Sequence, residues 1–204
     1  MAARNDWYRK TTWTSDDAED FFANLDRSGT DIHRAKYLKI QALTLKDASH
    51  FREALDLAEL AIEKFPQRET TQIRKLRADC LLALGFRDDA VEAYRFAFEA
   101  QRAQRNIDCH VALAFAEAFS DADDGAYRQE LLELLREEVA QPWSFGPLLE
   151  FRYSLMFTRL FSGLGDTEGA AKWADRALFA LRFAGRMDER TEIWLRKLAA
   201  SRND

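Results

Sequence analysis

Two pairs of neighbouring residues and one acidic run carry the side chains best suited to chemistry in this sequence. Ser49 stands beside His50, Cys109 beside His110, and Asp121, Asp123 and Asp124 fall within four positions. A hydroxyl next to an imidazole suggests a nucleophile and its base, but the serine and histidine precede an apolar helical pattern. There they read better as residues of a helix start. Adjacent Cys and His side chains diverge by about 100° on a helix, so they do not chelate one ion together. The acidic run lacks the twelve-position ligand pattern of a calcium loop and reads as a polar turn. No phosphate loop, dinucleotide-binding glycine turn or His-Glu metalloprotease helix occurs. The sequence therefore predicts no catalytic residue, no metal and no cofactor, and the expectation is a protein that is not an enzyme.

The elements that would position any functional side chain are helices. The chain has 204 residues, of which 47% are hydrophobic and 12% aromatic, enough for a sizeable core, while only 8 Gly and 3 Pro leave few breakers for a sandwich or barrel. No stretch is long and apolar enough to span a bilayer and no signal-peptide pattern stands at Met1. Cys80 and Cys109 sit in apolar helical patterns and do not read as a disulfide framework. A cytoplasmic protein with no membrane partner is expected.

Repetition is the strongest signal. FREALDLAELAIEKFP from Phe51, RDDAVEAYRFAFEA from Arg87 and DTEGAAKWADRALFAL from Asp166 superpose, each after another amphipathic helix and a short turn. Ala54 and Ala61 recur as Ala90 and Ala97, and again as Ala170 and Ala177. Ala42 and Ala78 mark the small position of the preceding helices, Tyr94 an aromatic position and Pro66 a closing proline. The turns are Leu84–Gly85–Phe86 and Leu164–Gly165–Asp166. On these residues the chain resembles the tetratricopeptide-repeat family, from Arg34 to about Phe183. The match is poor between Ile107 and Ala140, where Ala114 and Ala126 fit but Glu133 takes a small position. The resemblance implies an all-α solenoid of about four helical hairpins, with hairpins at 31–68, 69–104, 105–140 (degenerate) and 147–184. A stack of this kind needs covered ends. Residues 1–30 supply Trp7, Tyr8, Trp13, Phe21 and Phe22, with Thr14 as N-cap and Asp17 three residues on. Residues 185–204 supply a last helix with Ile193, Trp194, Leu195 and Leu198. The opening DWYRKTTW and the following YLKIQA are also similar to the start of bacterial proteins of this size, a likeness that assigns no residue a role.

The resemblance implies a partner-binding face on the first helices of the hairpins, here Lys36, Lys39, Leu43, Lys75, Asp79 and Leu82. Lys39 matches the first lysine of the family's carboxylate clamp. Leu43 and Leu76 stand where the clamp has asparagines, so that function is not carried over. A second candidate surface is acidic. Between Phe115 and Glu138 eight acids face two arginines, a local charge of −6 within a chain of net −5. Asp121, Asp123, Asp124, Glu130, Glu133 and Glu137 would steer a basic partner. The expected function is a protein or peptide interaction module, in one form an immunity- or antitoxin-type inhibitor of a basic toxin domain. The alternative is a nucleic-acid-binding or regulatory helical-repeat protein that uses the basic C-terminal region, where Lys172 to Asp204 carries +3. Against it, Gly185 breaks the alignment of the bases and no aromatic is interleaved with them.

Overall fold

The computed structural model describes residues 6–66, 70–103, 109–121, 125–140, 146–185 and 188–201. The described residues form ten α-helices and no strand, packed mostly between sequence neighbours in pairs. None of these helices is long and apolar enough to cross a membrane. The chain divides into two compact units, Met1–Val111 and Ala112–Asp204.

In the first unit, α1 (Ser15–Arg27) leads to the hairpin α2 (Asp31–Asp47) and α3 (Phe51–Lys64), then to the hairpin α4 (Thr71–Ala83) and α5 (Arg87–Ala103). Ala42, Ala54, Ala61, Ala78, Ala90 and Ala97 are all buried, so side chains no larger than a methyl group stand where the helices meet. A larger group would force off-rotamer packing or separate the backbones.

The same turn closes three hairpins. After α2, the Ser49 and His50 N–H groups donate to Lys46 and Leu45 carbonyls, both at 2.9 Å. After α4, Gly85 and Phe86 donate to Leu82 and Leu81 at 3.0 and 2.9 Å. In the second unit, Gly165 and Asp166 donate to Ser162 and Phe161 at 3.1 and 3.0 Å. This double bond with a left-handed residue satisfies the carbonyls that a helix leaves open at its C-terminus. The left-handed residues have φ of 67° at Ser49, 85° at Gly85 and 77° at Gly165. His50 is the N-cap of α3 but its side chain makes no capping bond, so the serine–histidine pair belongs to the turn and not to side-chain capping of the next helix.

The aromatic opening is tied to α1 and α2. Thr14 and Asp17 form the reciprocal capping box of α1, and bonds from the Thr14 backbone N–H first, then the Thr12 hydroxyl and Lys10, hold the Asp17 carboxyl well below the usual range. Phe21 is fully buried, with Trp7 and Trp13 rings at 5.4 and 5.5 Å, while Trp7 lies 4.8 Å from Tyr37 of α2. Gln41 of α2 is also fully buried. Its amide accepts from Lys10 N–H at 2.9 Å and donates to the Lys10 carbonyl at 2.7 Å, pinning the extended segment to the helix.

The second unit holds α6 (Val111–Phe119), which starts at the boundary, then α7 (Arg128–Val139), α8 (Pro147–Gly163), α9 (Thr167–Ala184) and α10 (Glu189–Ala200). Ala170, Ala174 and Ala177 of α9 are fully buried, and Leu195, Trp194 and Leu198 of α10 pack on Ala174 and Ala177. Ile193 is 46% exposed and stands outside that contact. The weak match around α6 and α7 also has a structural basis. Glu133 and Ala126 are exposed, and the inward face of α7 is Leu131, Leu132, Leu135 and Glu138. Glu133 therefore does not occupy a helix crossing.

Ser49 has left-handed backbone where the other two turns use glycine, and a non-glycine residue there costs about 1–3 kcal/mol. Ser49→Gly should raise stability by about 1 kcal/mol after the added freedom of the unfolded chain is subtracted. Gly85→Ala should lower it by a similar amount, although nothing lies within 4 Å of the added methyl. Urea denaturation of both variants checks the pair, and a neutral result for both would reject the shared turn.

Candidate functional site

Helices α2 and α4 lie side by side and run in the same direction. Lys39 Nζ donates to Gln72 Oε1 at 2.9 Å and Lys46 Nζ to Asp79 Oδ2 at 3.2 Å, and both pairs are separated by 33 residues. A constant offset at two points seven residues apart requires parallel axes. It brings Lys36, Lys39 and Leu43 of α2 onto one face with Lys75, Asp79 and Leu82 of α4. Lys36 is exposed, the other five are half-buried.

Asp79 organises the middle of this face. It accepts from Lys46, from Lys75 at 3.1 Å and from the Tyr94 hydroxyl of α5 at 2.8 Å. Tyr94 is buried, so the carboxylate is fixed from beneath while its two lysines remain at the surface. These ion pairs orient Lys46 and Lys75 more than they stabilise the fold, since partly exposed pairs contribute about 1 kcal/mol or less. Leu43, Lys46, Gln72, Lys75, Leu76, Asp79 and Cys109 line a depression of about 250 Å³. Sequence reasoning missed Lys46, although it follows Lys39 by two helical turns and so shares its face.

The acidic segment is less free than its sequence suggests. Asp121 pairs with Arg159 at 3.0 Å, and Glu117 with Arg152 at 2.6 Å, both arginines coming from α8. Glu133 accepts from Gln129 at 2.9 Å, while Glu130 and Glu137 are half-buried. Asp123 and Asp124 lie outside the described residues. Glu138 is withdrawn from the surface altogether. It is 3% exposed and accepts from the Ala112 and Leu113 N–H groups, each at 3.1 Å, and from the Tyr153 hydroxyl at 2.6 Å. This carboxylate caps α6 from another helix and meets the favourable end of its dipole. Its placement was legible in the spacing Leu131, Leu135, Glu138, which puts an acid on an apolar stripe.

Burial pushes the Cys80 thiol up to about 12, so it holds its proton at neutral pH. His33 is exposed and bonded to Thr30, and His110 has a left-handed backbone. Among the described residues no three His, Cys, Asp or Glu side chains are grouped to hold a metal ion. Around the basic C-terminal helices one expectation is corrected. Phe179 and Phe183 are 59% and 66% exposed, and the Arg182 guanidinium lies 5.9 Å from the Phe179 ring centre, so an aromatic group does accompany one of these bases, Arg182.

Comparison with protein-family models, with curated proteins and with solved structures finds no match to this chain.

Removing the Glu138 carboxylate takes away the acceptor used by the Ala112 and Leu113 N–H groups and the Tyr153 hydroxyl. Glu138→Ala should cost roughly 2–4 kcal/mol and Tyr153→Phe about 1 kcal/mol, read from chemical denaturation. Equal stability of Glu138→Ala and the wild type would contradict this role.

Proposed function

We propose that the chain is a non-enzymatic interaction module, built as a tetratricopeptide-like solenoid, that holds a segment of a protein partner against the face made by α2 and α4. The observation that carries this reading is the parallel pairing of the two helices, which presents Lys39, Leu43, Lys75 and Leu82 together on an open surface. The recurring buried alanines and the three equivalent turns support the solenoid. The face carries Lys36, Lys39, Lys46 and Lys75 against the single Asp79. Interleaved with Leu43 and Leu82, these charges suit a segment that alternates acidic and apolar residues.

An immunity- or antitoxin-type role toward a basic partner would use the segment around Asp121, Glu130, Glu133 and Glu137. The counter-charges from Arg152 and Arg159 weaken its field, which favours the α2–α4 face. A second reading, binding of a single nucleic-acid strand, draws support from exposed Phe179 and Phe183 beside Arg182. Asp175 and Glu192 on the same surface oppose it.

The test compares two charge-reversed proteins. Lys39→Glu with Lys75→Glu should reduce partner capture from native lysate at least tenfold, while Asp121→Lys, Glu130→Lys and Glu133→Lys together should leave it within twofold. Circular dichroism checks that both sets keep their helices. The opposite ranking would assign binding to the acidic segment.

A further inference from the structure

At the start of α2 and α4 the first unit forms an open pocket of about 300 Å³, distinct from the Asp79 depression. Its walls are hydrocarbon, from Ile32 and Ala35 of α2, Ala61 of α3 and Ile73 of α4, and its rim carries Lys36 and Lys39. No acidic side chain among the described residues lines it. The hydrogen-bond partner of Lys39 is the neutral Gln72 amide, and Lys36 makes no ion pair or hydrogen bond among the described residues. Thr70, also in the wall, has a buried hydroxyl with no hydrogen-bond partner among the described residues.

Each feature narrows the ligand. Two ammonium groups one helical turn apart repel each other and any cation, and an anion between them relieves that repulsion. A buried hydroxyl left unpaired among the described residues has room for a polar partner from a ligand. The apolar walls, with Ile32 still 52% exposed at the mouth, call for a hydrocarbon body to cover them. A bare inorganic anion leaves the walls wet, and a neutral hydrocarbon leaves the lysines unmatched. We propose that this pocket binds a small free carboxylate on a short hydrocarbon chain. The carboxylate meets Lys36 and Lys39, and the chain lies against Ile32, Ala61 and Ile73. The site shares Lys36 and Lys39 with the proposed partner-binding face but uses neither Lys75 nor Leu82, so hexanoate binding and partner capture are read separately.

The test is a titration of the full chain followed through the Ile32 and Ile73 methyl resonances. Hexanoate should shift both saturably, with a dissociation constant of about 1 mM or tighter for so small a ligand. Hexylammonium should not bind. In the double variant Lys36→Gln, Lys39→Gln, whose ligand-free methyl spectrum reports an intact fold, hexanoate should bind at least tenfold more weakly. Hexanol binding as well as hexanoate, an unchanged affinity in the double variant, or no saturable shift would each overturn the proposal. So would binding of a peptide with a C-terminal leucine in the absence of hexanoate binding, which would give the pocket to a partner's chain end.

Discussion

The close approach of paired helices is the constraint on which the other features rest. Ala54 and Ala61 on α3, Ala90 and Ala97 on α5, and Ala170 and Ala177 on α9 occupy the same places in their hairpins and are all buried. With methyl groups at the contact, the backbones come near enough for the flanking leucines and aromatics to interlock. The distance and direction of each hairpin then follow. So does the placement of the next hairpin's first helix beside the last one's, which is what joins Lys39 to Gln72 and Lys46 to Asp79.

From that placement the polar chemistry follows in two distinct ways. On α2 and α4 the ionic groups remain at the surface, and Asp79 sets the posture of Lys46 and Lys75 while Tyr94 holds it from below. Here the fold keeps charge available. In the second unit the fold consumes it, because Glu138 is sealed against the start of α6 and Asp121 is matched by Arg159. Two regions that both read as charged in sequence thus differ in what they can offer a partner.

The features legible in the sequence were the local ones. The alanine spacing, the Thr14–Asp17 capping box and the glycine turns at Gly85 and Gly165 each depend on residues within a few turns, and the helices follow from them. Long-range partners were not legible. Nothing near Gln41 announces that its amide will clamp Lys10, and a charge count along residues 115–138 cannot include Arg152 and Arg159, which arrive from another helix. The serine at position 49 hid a turn equivalent to the two glycine turns, because serine seldom adopts that backbone. The 36-residue spacing failed past Ala97 for a similar reason: Glu133 is in register by count, yet α7 turns Leu131 and Leu135 inward instead.

The account depends most on the alanine contacts, and overpacking one of them tests it most directly. Ala97 is fully buried where α5 meets its neighbours, whereas Ala83 is exposed at the end of α4. The measurement is the unfolding free energy of Ala97→Leu beside that of Ala83→Leu. The predicted result is a loss of about 1–3 kcal/mol for Ala97→Leu and a change within about 0.5 kcal/mol for Ala83→Leu. Equal stability of the two variants would contradict the close helix contact, and with it the paired arrangement of α2 and α4.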